Sequence, residues 1–501
     1  MTEALQVAGC IAAAACVAAA MLSNGRRVRA ALLIAALALA LALITGEAWD
    51  ELTSLRERPA LFAAAVVAAA LATVALALLL RRYPVALPLL LIAALPFRVP
   101  IGVGTEDANL LLPLYAVIAA GALAAAISAY ERGGERFGAE PRPLAIALAA
   151  SVLLYALQSV YSEDIGFATR NVAFFLVPFA AMFALLSDVD WNPRLLKWSL
   201  AVIVAEGVVF ALVGAVQYAA GEIFWNPALM LSNDFHFYFR VNSLFWDPNI
   251  YGRYLALVAA IVAAGVLWAR RPREVGAGAL VLAVLLGGLV LGFSQTSFIA
   301  LLVGIGVVAG LRYSAAGAAV GLPVVIAVAL AAVVFVGGTS EAEDSPEEVS
   351  SGRSTLIEGG VELFTSQPLI GNGSASFPVS FAKQEDLNPN KPAISHNEAV
   401  TVAAEQGMIG LLAYAAVIMA SILALLSGMR RFAPGLGAGP DAIGDPRGDP
   451  GGRILARIAL AGAFAAMLVH TAGYGAFLTD PLTWAILAIG GSLAARDASP
   501  T

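Results

Sequence analysis

Apolar runs near the length an α-helix needs to cross a bilayer, about 20 residues, recur along most of the chain between short polar or basic stretches. They lie at 4–22, 30–45, 60–80, 84–96, 110–129, 143–161, 168–187, 195–220, 248–269, 275–292, 296–311, 316–336, 398–427, 455–473 and 479–495. The runs are continuous, whereas membrane β-barrels show short alternating segments. The pattern predicts an all-α fold, a polytopic transmembrane helix bundle of about 12–15 spans, with a long extracytoplasmic loop before a C-terminal helix group. The run at 84–96 is short and bracketed by Pro84 and Pro96, so a tilted or re-entrant segment, or no span, is expected there.

Composition agrees. Hydrophobic residues fill 60% of the 501 positions and charged ones 13%, at a mean hydropathy of +0.84, far from a water-soluble domain; no nucleic-acid partner is expected. Basic residues set the expected orientation. Alternate loops holding Arg26, Arg27, Arg81, Arg82, Arg270, Arg271, Arg430 and Arg431 outweigh the loops holding Arg98, Arg240, Arg353 and Lys383. The first set is therefore expected in the cytoplasm and the second outside. The first positive cluster follows the first apolar run, so that run is expected to be a retained helix and not a cleaved signal peptide. Cys10 and Cys16 both fall within it, which leaves the outer loops without a disulfide framework.

Five segments follow from this reading. Residues 1–220 are N-terminal spans, a scaffold or lipid groove. Residues 221–247 form an outer loop rich in aromatic side chains, among them Phe224, Trp225, Tyr238, Phe239, Phe245 and Trp246. An interfacial aromatic belt explains them, and so does a platform on which sugars stack beside Arg240. Residues 248–337 are central spans, 338–397 a long outer loop carrying the chemistry, and 398–501 the C-terminal spans with a cytoplasmic linker at 428–452. Within the long loop, the acidic run from Ser340 to Ser351 is expected to be solvated. Ser354 to Phe364 reads as a short amphipathic helix, and Pro368 to Gly373 as a turn.

Three histidines occur, His236, His396 and His470, in different segments, which argues against a multi-histidine metal site. His396 stands in Ser395-His396-Asn397, where the long loop meets an apolar run. A neutral imidazole, with an ordinary pKa of about 6.5, can take a proton from a hydroxyl near neutral pH; a helix cap is the simpler reading of a histidine there. Arg240, before Asp247-Pro248-Asn249, and Arg353, at a predicted helix start, offer guanidinium forks that match phosphate oxygens. Arg253 and Glu206 fall inside predicted spans. Each needs a partner or a wet cavity, so an internal ion pair is expected, or for Arg253 a side chain reaching out to the interface.

His396-Asn397, nine residues, then Gly407-Met408-Ile409-Gly410 resembles the His-Asn…Gly-x-x-Gly pattern of the O-antigen ligase and polymerase superfamily. Ser351-Gly352-Arg353 followed by Pro368-Leu369-Ile370-Gly371-Asn372-Gly373 is similar to its Ser-Gly-Arg…Pro-Leu-x-Gly-x-Gly block. Arg240 with Asp247-Pro248-Asn249 looks like its Arg…Pro-Asn block. The departures are Leu411-Leu412 after the last glycine, where ligases carry small hydroxyl residues, and Asp247 where asparagine is common.

The resemblance implies a glycosyltransferase of the bacterial inner membrane, working on its outer face without metal or cofactor. Its donor is a polyprenyl (undecaprenyl) diphosphate-linked glycan and its acceptor a lipid or glycan hydroxyl; membrane lipids surround it. On that resemblance His396 is the general base of an inverting transfer, and Arg240 and Arg353 bind the diphosphate. Asn397, Glu405 and Arg253 support them, Asn397 by orienting the base and Glu405 by positioning the acceptor or His396. A ligase is favoured, a polymerase joining lipid-linked repeat units is the alternative, and a transporter or flippase of lipid-linked glycans is the reading from another class.

Overall fold

The computed structural model describes residues 2–47, 58–103, 106–132, 142–234, 238–313, 353–387, 395–427 and 452–498. His236, the run at 316–336, the acidic segment from Ser340 with Ser351-Gly352, and residues 428–451 of the linker lie outside them. Twelve of the described helices are long and apolar enough to cross a membrane, so the protein is a multi-pass membrane protein with the expected all-α bundle. The run at 84–96 contains only a nine-residue helix, Ala86–Ala94, about 14 Å long and too short to span. After it comes a small antiparallel hairpin that the apolar pattern did not predict, Val99–Val103 against Glu106–Leu110, with Val99 opposite Leu110.

The chain divides into two compact units. The first comprises Met1–Asp190, Arg353–Ser421 and Leu478–Ser492. Its helices are α1 (Glu3–Leu22), α2 (Arg26–Glu47), α3 (Pro59–Arg82), α4 (Ala86–Ala94), α5 (Leu112–Arg132), α6 (Arg142–Gln158), α7 (Ile165–Asn171) and α8 (Val177–Ser187). A π turn at Val172–Leu176 joins α7 to α8. Every residue of α8 is buried, which makes it the axis of this unit. Its last turn receives the buried Arg29 guanidinium, which donates to the Ala184 carbonyl and pairs with Asp188 at 3.4 Å.

The second unit comprises Trp191–Gly352, Ile422–Phe477 and Leu493–Thr501. It holds α9 (Pro193–Ala220), α10 (Pro227–Asp234), α11 (Pro248–Trp268), α12 (Pro272–Leu291) and α13 (Gln295–Tyr313). Helix boundaries follow local chemistry. Asn192 accepts the Leu195 amide at 3.0 Å ahead of Pro193, and Gly221 ends α9 at φ 68°. Asp247 caps α11 by accepting the Asn249 amide at 2.6 Å, with Pro248 in the first turn, so an aspartate serves there as an asparagine would.

Three further helices, α14 (Arg353–Ser366), α15 (Phe377–Gln384) and α16 (Glu398–Leu426), precede α17 (Arg453–Gly473) and α18 (Pro481–Ala498). α14 bears out the short helix expected at 354–364. α17 lies in the second unit against α13. A Cβ on Gly304 would stand 2.9 Å from the Gly462 carbonyl, so small residues let these two backbones approach as membrane helices do.

Candidate active site

The two family blocks with glycine pairs meet in the first unit. α16 is not one helix: Gly407 sits at φ 63°, ψ −159°, a conformation essentially reserved for glycine. The break frees carbonyls before it and amides after it. In a hydrocarbon setting each unpaired backbone group costs several kcal/mol.

Five of these groups are taken up by the turn at Pro368–Gly373 and by α6. Asn372 and Gly373 donate their amides to the carbonyls of Ala404 and Glu405 at 3.1 and 2.8 Å. Met408 and Ile409 donate to Pro368 and Leu369 at 2.8 and 3.3 Å. The Gln158 side chain donates to the carbonyls of Gln406 and Ile370, both at 3.2 Å.

Glu405, buried at 6% exposure, completes this lock. Its two carboxylate oxygens accept the amides of Ala375 and Phe377 at 2.8 and 3.2 Å. The turn is also gripped by the Tyr161 hydroxyl on Ile370 and the Ser162 hydroxyl on Ser374, each at 2.7 Å. Glu405 therefore holds the loop directly. Gln158, Tyr161 and Ser162 were not singled out from sequence, because one polar residue at a helix end carries no pattern.

His396 stands on the threshold of α16, half-buried, with a left-handed φ of 55°. Few non-glycine residues adopt that conformation, and such strain gathers at functional sites. The neighbours fix the turn. Asn397 caps α16 through its side-chain oxygen, which accepts the Val400 amide at 3.2 Å. The buried Ser395 hydroxyl donates to the Asn397 carbonyl at 2.9 Å and also meets the Thr401 hydroxyl. α14 runs beside the first part of α16: Leu363 shares an apolar cluster with Ala404, Phe377 and Phe381, and a Cβ on Gly360 would collide with Val400. The two helices are therefore parallel, and Arg353 opens α14 at the same end where His396 opens α16.

Arg240 and Arg253 belong to the second unit. Arg240 is half-buried; its amide and carbonyl pair with the Asn233 side chain, and its Nε donates to the Gly292 carbonyl at 3.3 Å. Among the described residues no carboxylate pairs with it, and a guanidinium fork matches the oxygens of an anion. Beside it Tyr238 stacks on Phe293, centroids 4.9 Å apart. The aromatic loop is not uniform: Phe245 is core, packed on Phe210 and Tyr254.

The expected Arg253–Glu206 pair does not form. The Glu206 carboxylate accepts the Tyr254 hydroxyl at 2.7 Å. Arg253 does not reach the interface either: it is 1% exposed, donating to His470 Nδ1 at 3.0 Å and to the carbonyls of Tyr474, Gly475 and Ala476 at 2.7, 2.8 and 3.2 Å. The 473–477 turn supplies acceptors that no hydropathy pattern reveals, and they offset part of the cost of burial.

These features define a membrane protein whose glycine-locked, broken helix begins at a strained histidine. Residues 280–415 match the family model described as O-antigen ligase, and this region is of the O-antigen ligase and polymerase superfamily, a group of membrane glycosyltransferases. His396, Arg353 and Glu405 lie inside the matched stretch, and Arg240 precedes it. No curated protein matches the chain.

Proposed function

We propose that the protein is an O-antigen-ligase-like, inverting glycosyltransferase that needs no metal. It moves a glycan from undecaprenyl diphosphate to an acceptor hydroxyl on the outer face of a bacterial cytoplasmic membrane. The observation that carries this reading is His396, strained and half-buried at the head of α16, inside the stretch that matches the ligase family. The imidazole takes the proton of the acceptor hydroxyl as that oxygen bonds to the anomeric carbon. The bond from that carbon to the diphosphate breaks, and Arg240 and Arg353 receive the departing anion. Asn397 sets the turn that aims the imidazole. Glu405 and Arg253 support these residues, one by holding the 371–377 loop and the other by holding the 473–477 turn. The arginine distribution along the chain supports the outward orientation.

A broken span is also a feature of transporters. Here five of the groups freed at Gly407 are held by Asn372, Gly373, Gln158, Pro368 and Leu369, so the break is closed by the protein's own backbone and side chains and the enzyme reading is preferred. Proteoliposomes loaded with a polyprenyl-diphosphate glycan test it, with lipid-A-core and lipid-linked acceptors supplied separately. Transfer in chelator that is lost in His396→Ala supports the reading, and the acceptor that reacts separates ligase from polymerase. Transfer unchanged in His396→Ala removes the general base, and donor crossing the bilayer without transfer establishes transport instead.

A further inference from the structure

His470 has no part in the chemistry above, yet it belongs to a buried polar chain within the second unit. A guanidinium only donates, so the 3.0 Å contact from Arg253 Nε makes His470 Nδ1 the acceptor and places the ring hydrogen on Nε2. Nε2 then donates to Ser297 Oγ at 3.0 Å. Ser294 donates to Asn249 Oδ1 at 3.0 Å, which leaves Ser297 as donor in the 2.7 Å contact between the two hydroxyls. The chain thus has one direction: Arg253, His470, Ser297, Ser294, Asn249. All but Asn249 are buried. Gly252 makes room for it, since a Cβ there would lie 2.5 Å from Ser297 Oγ.

Through Ser294 this chain reaches the turn that braces Arg240. The Arg240 Nε donates to the Gly292 carbonyl and the Val241 amide to Leu291 at 3.1 Å. Phe293 follows at φ 47°, an uncommon conformation for a bulky residue, and Ser294 comes next. The turn is held from one side by Arg240 and Val241 and from the other by the hydroxyl pair.

We infer that His470 and Ser297 are positioning residues: through Ser294 they fix the Gly292–Ser294 turn, and with it the aim of Arg240 at the donor's diphosphate. The inference rests on the diphosphate role proposed for Arg240. Arg253 sets the ring tautomer, His470 sets the direction of the hydroxyl pair, and neither touches the ligand.

The test uses full-length protein in nanodiscs, undecaprenyl diphosphate as the binding probe and donor-dependent transfer as the kinetic readout. Ser297→Ala removes the middle of the chain while leaving the Arg253–His470 bond intact. It is expected to weaken diphosphate binding and raise the donor KM by about tenfold, with kcat and acceptor KM little changed. His470→Gln, which keeps one acceptor and one donor, is expected to bind better than His470→Leu. Ser297→Ala added to Arg240→Ala is expected to cost nothing further, because it acts through that arginine.

Additive losses, or a Ser297→Ala protein with a lower melting temperature and unchanged affinity, overturn the inference and leave the diphosphate role of Arg240 standing. If Arg240→Ala itself binds the probe as well as wild type, the diphosphate assignment fails, and this inference fails with it.

Discussion

Gly371 and Gly407 are wedged against each other: a Cβ on Gly407 would lie 2.6 Å from the Gly371 amide nitrogen, and one on Gly371 would collide with the backbone of Glu405. The glycines of the two family blocks are therefore one structural device. They let a turn and a broken helix share backbone hydrogen bonds at a distance no side chain permits.

Gly407→Ala is accordingly expected to be among the most damaging single changes in the chain. Both the close contact and the backbone conformation forbid a Cβ, at a cost of about 2–4 kcal/mol. Thermal melting of detergent-solubilised protein checks this, and an unchanged midpoint would remove the glycine lock.

At Glu405, replacement by glutamine turns one acceptor into an amide group facing the amide of Ala375 or Phe377. A loss of about 1–3 kcal/mol is expected. Hydrogen exchange should quicken at Ala375 and Phe377 before it does elsewhere. Uniform exchange across the protein would instead mean that the carboxylate does not hold this loop in particular.

Arg253→Met leaves three carbonyls and His470 Nδ1 without their donor. A destabilisation of about 3–5 kcal/mol is expected, seen as lost folded yield in size-exclusion chromatography. Glu206→Gln, which keeps an acceptor for Tyr254, should fold as wild type. Equal losses in both variants would revive the ion pair between these two residues.

His396 and Asn397, adjacent in sequence, should separate in assay. His396→Ala should lower transfer by about 10²–10⁴-fold while donor binding persists. Asn397→Ala removes a helix cap worth about 1 kcal/mol, and Asn397→Asp should restore it. A His396→Ala protein that transfers normally but melts early would reduce the histidine to a structural turn residue.

Much of the bundle was legible from hydropathy alone, because burial in lipid is written as long apolar runs. The runs at 195–220 and 248–269 became α9 and α11 with little shift, and Asn192, Pro193, Asp247 and Pro248 explain their starts. The break in α16 was not legible as a break. Met408 and Ile409 continue the apolar run across it, so hydropathy passes through Gly407 unchanged, and only the spacing of glycines marked the place. The fate of Arg253 was hidden for another reason: apart from His470, its acceptors are backbone carbonyls, which every residue carries and no composition reveals. The Val99–Val103 hairpin escaped because its first strand contains Pro100 and Gly102, residues that usually speak against a strand.

The lock around Gly407 also orders events during synthesis. Gln158 and the 368–373 turn are made before residues 404–409 leave the ribosome, so the partners exist before the broken backbone needs them. A circularly rearranged chain that produced α16 first would have to carry the defect through the bilayer unaided.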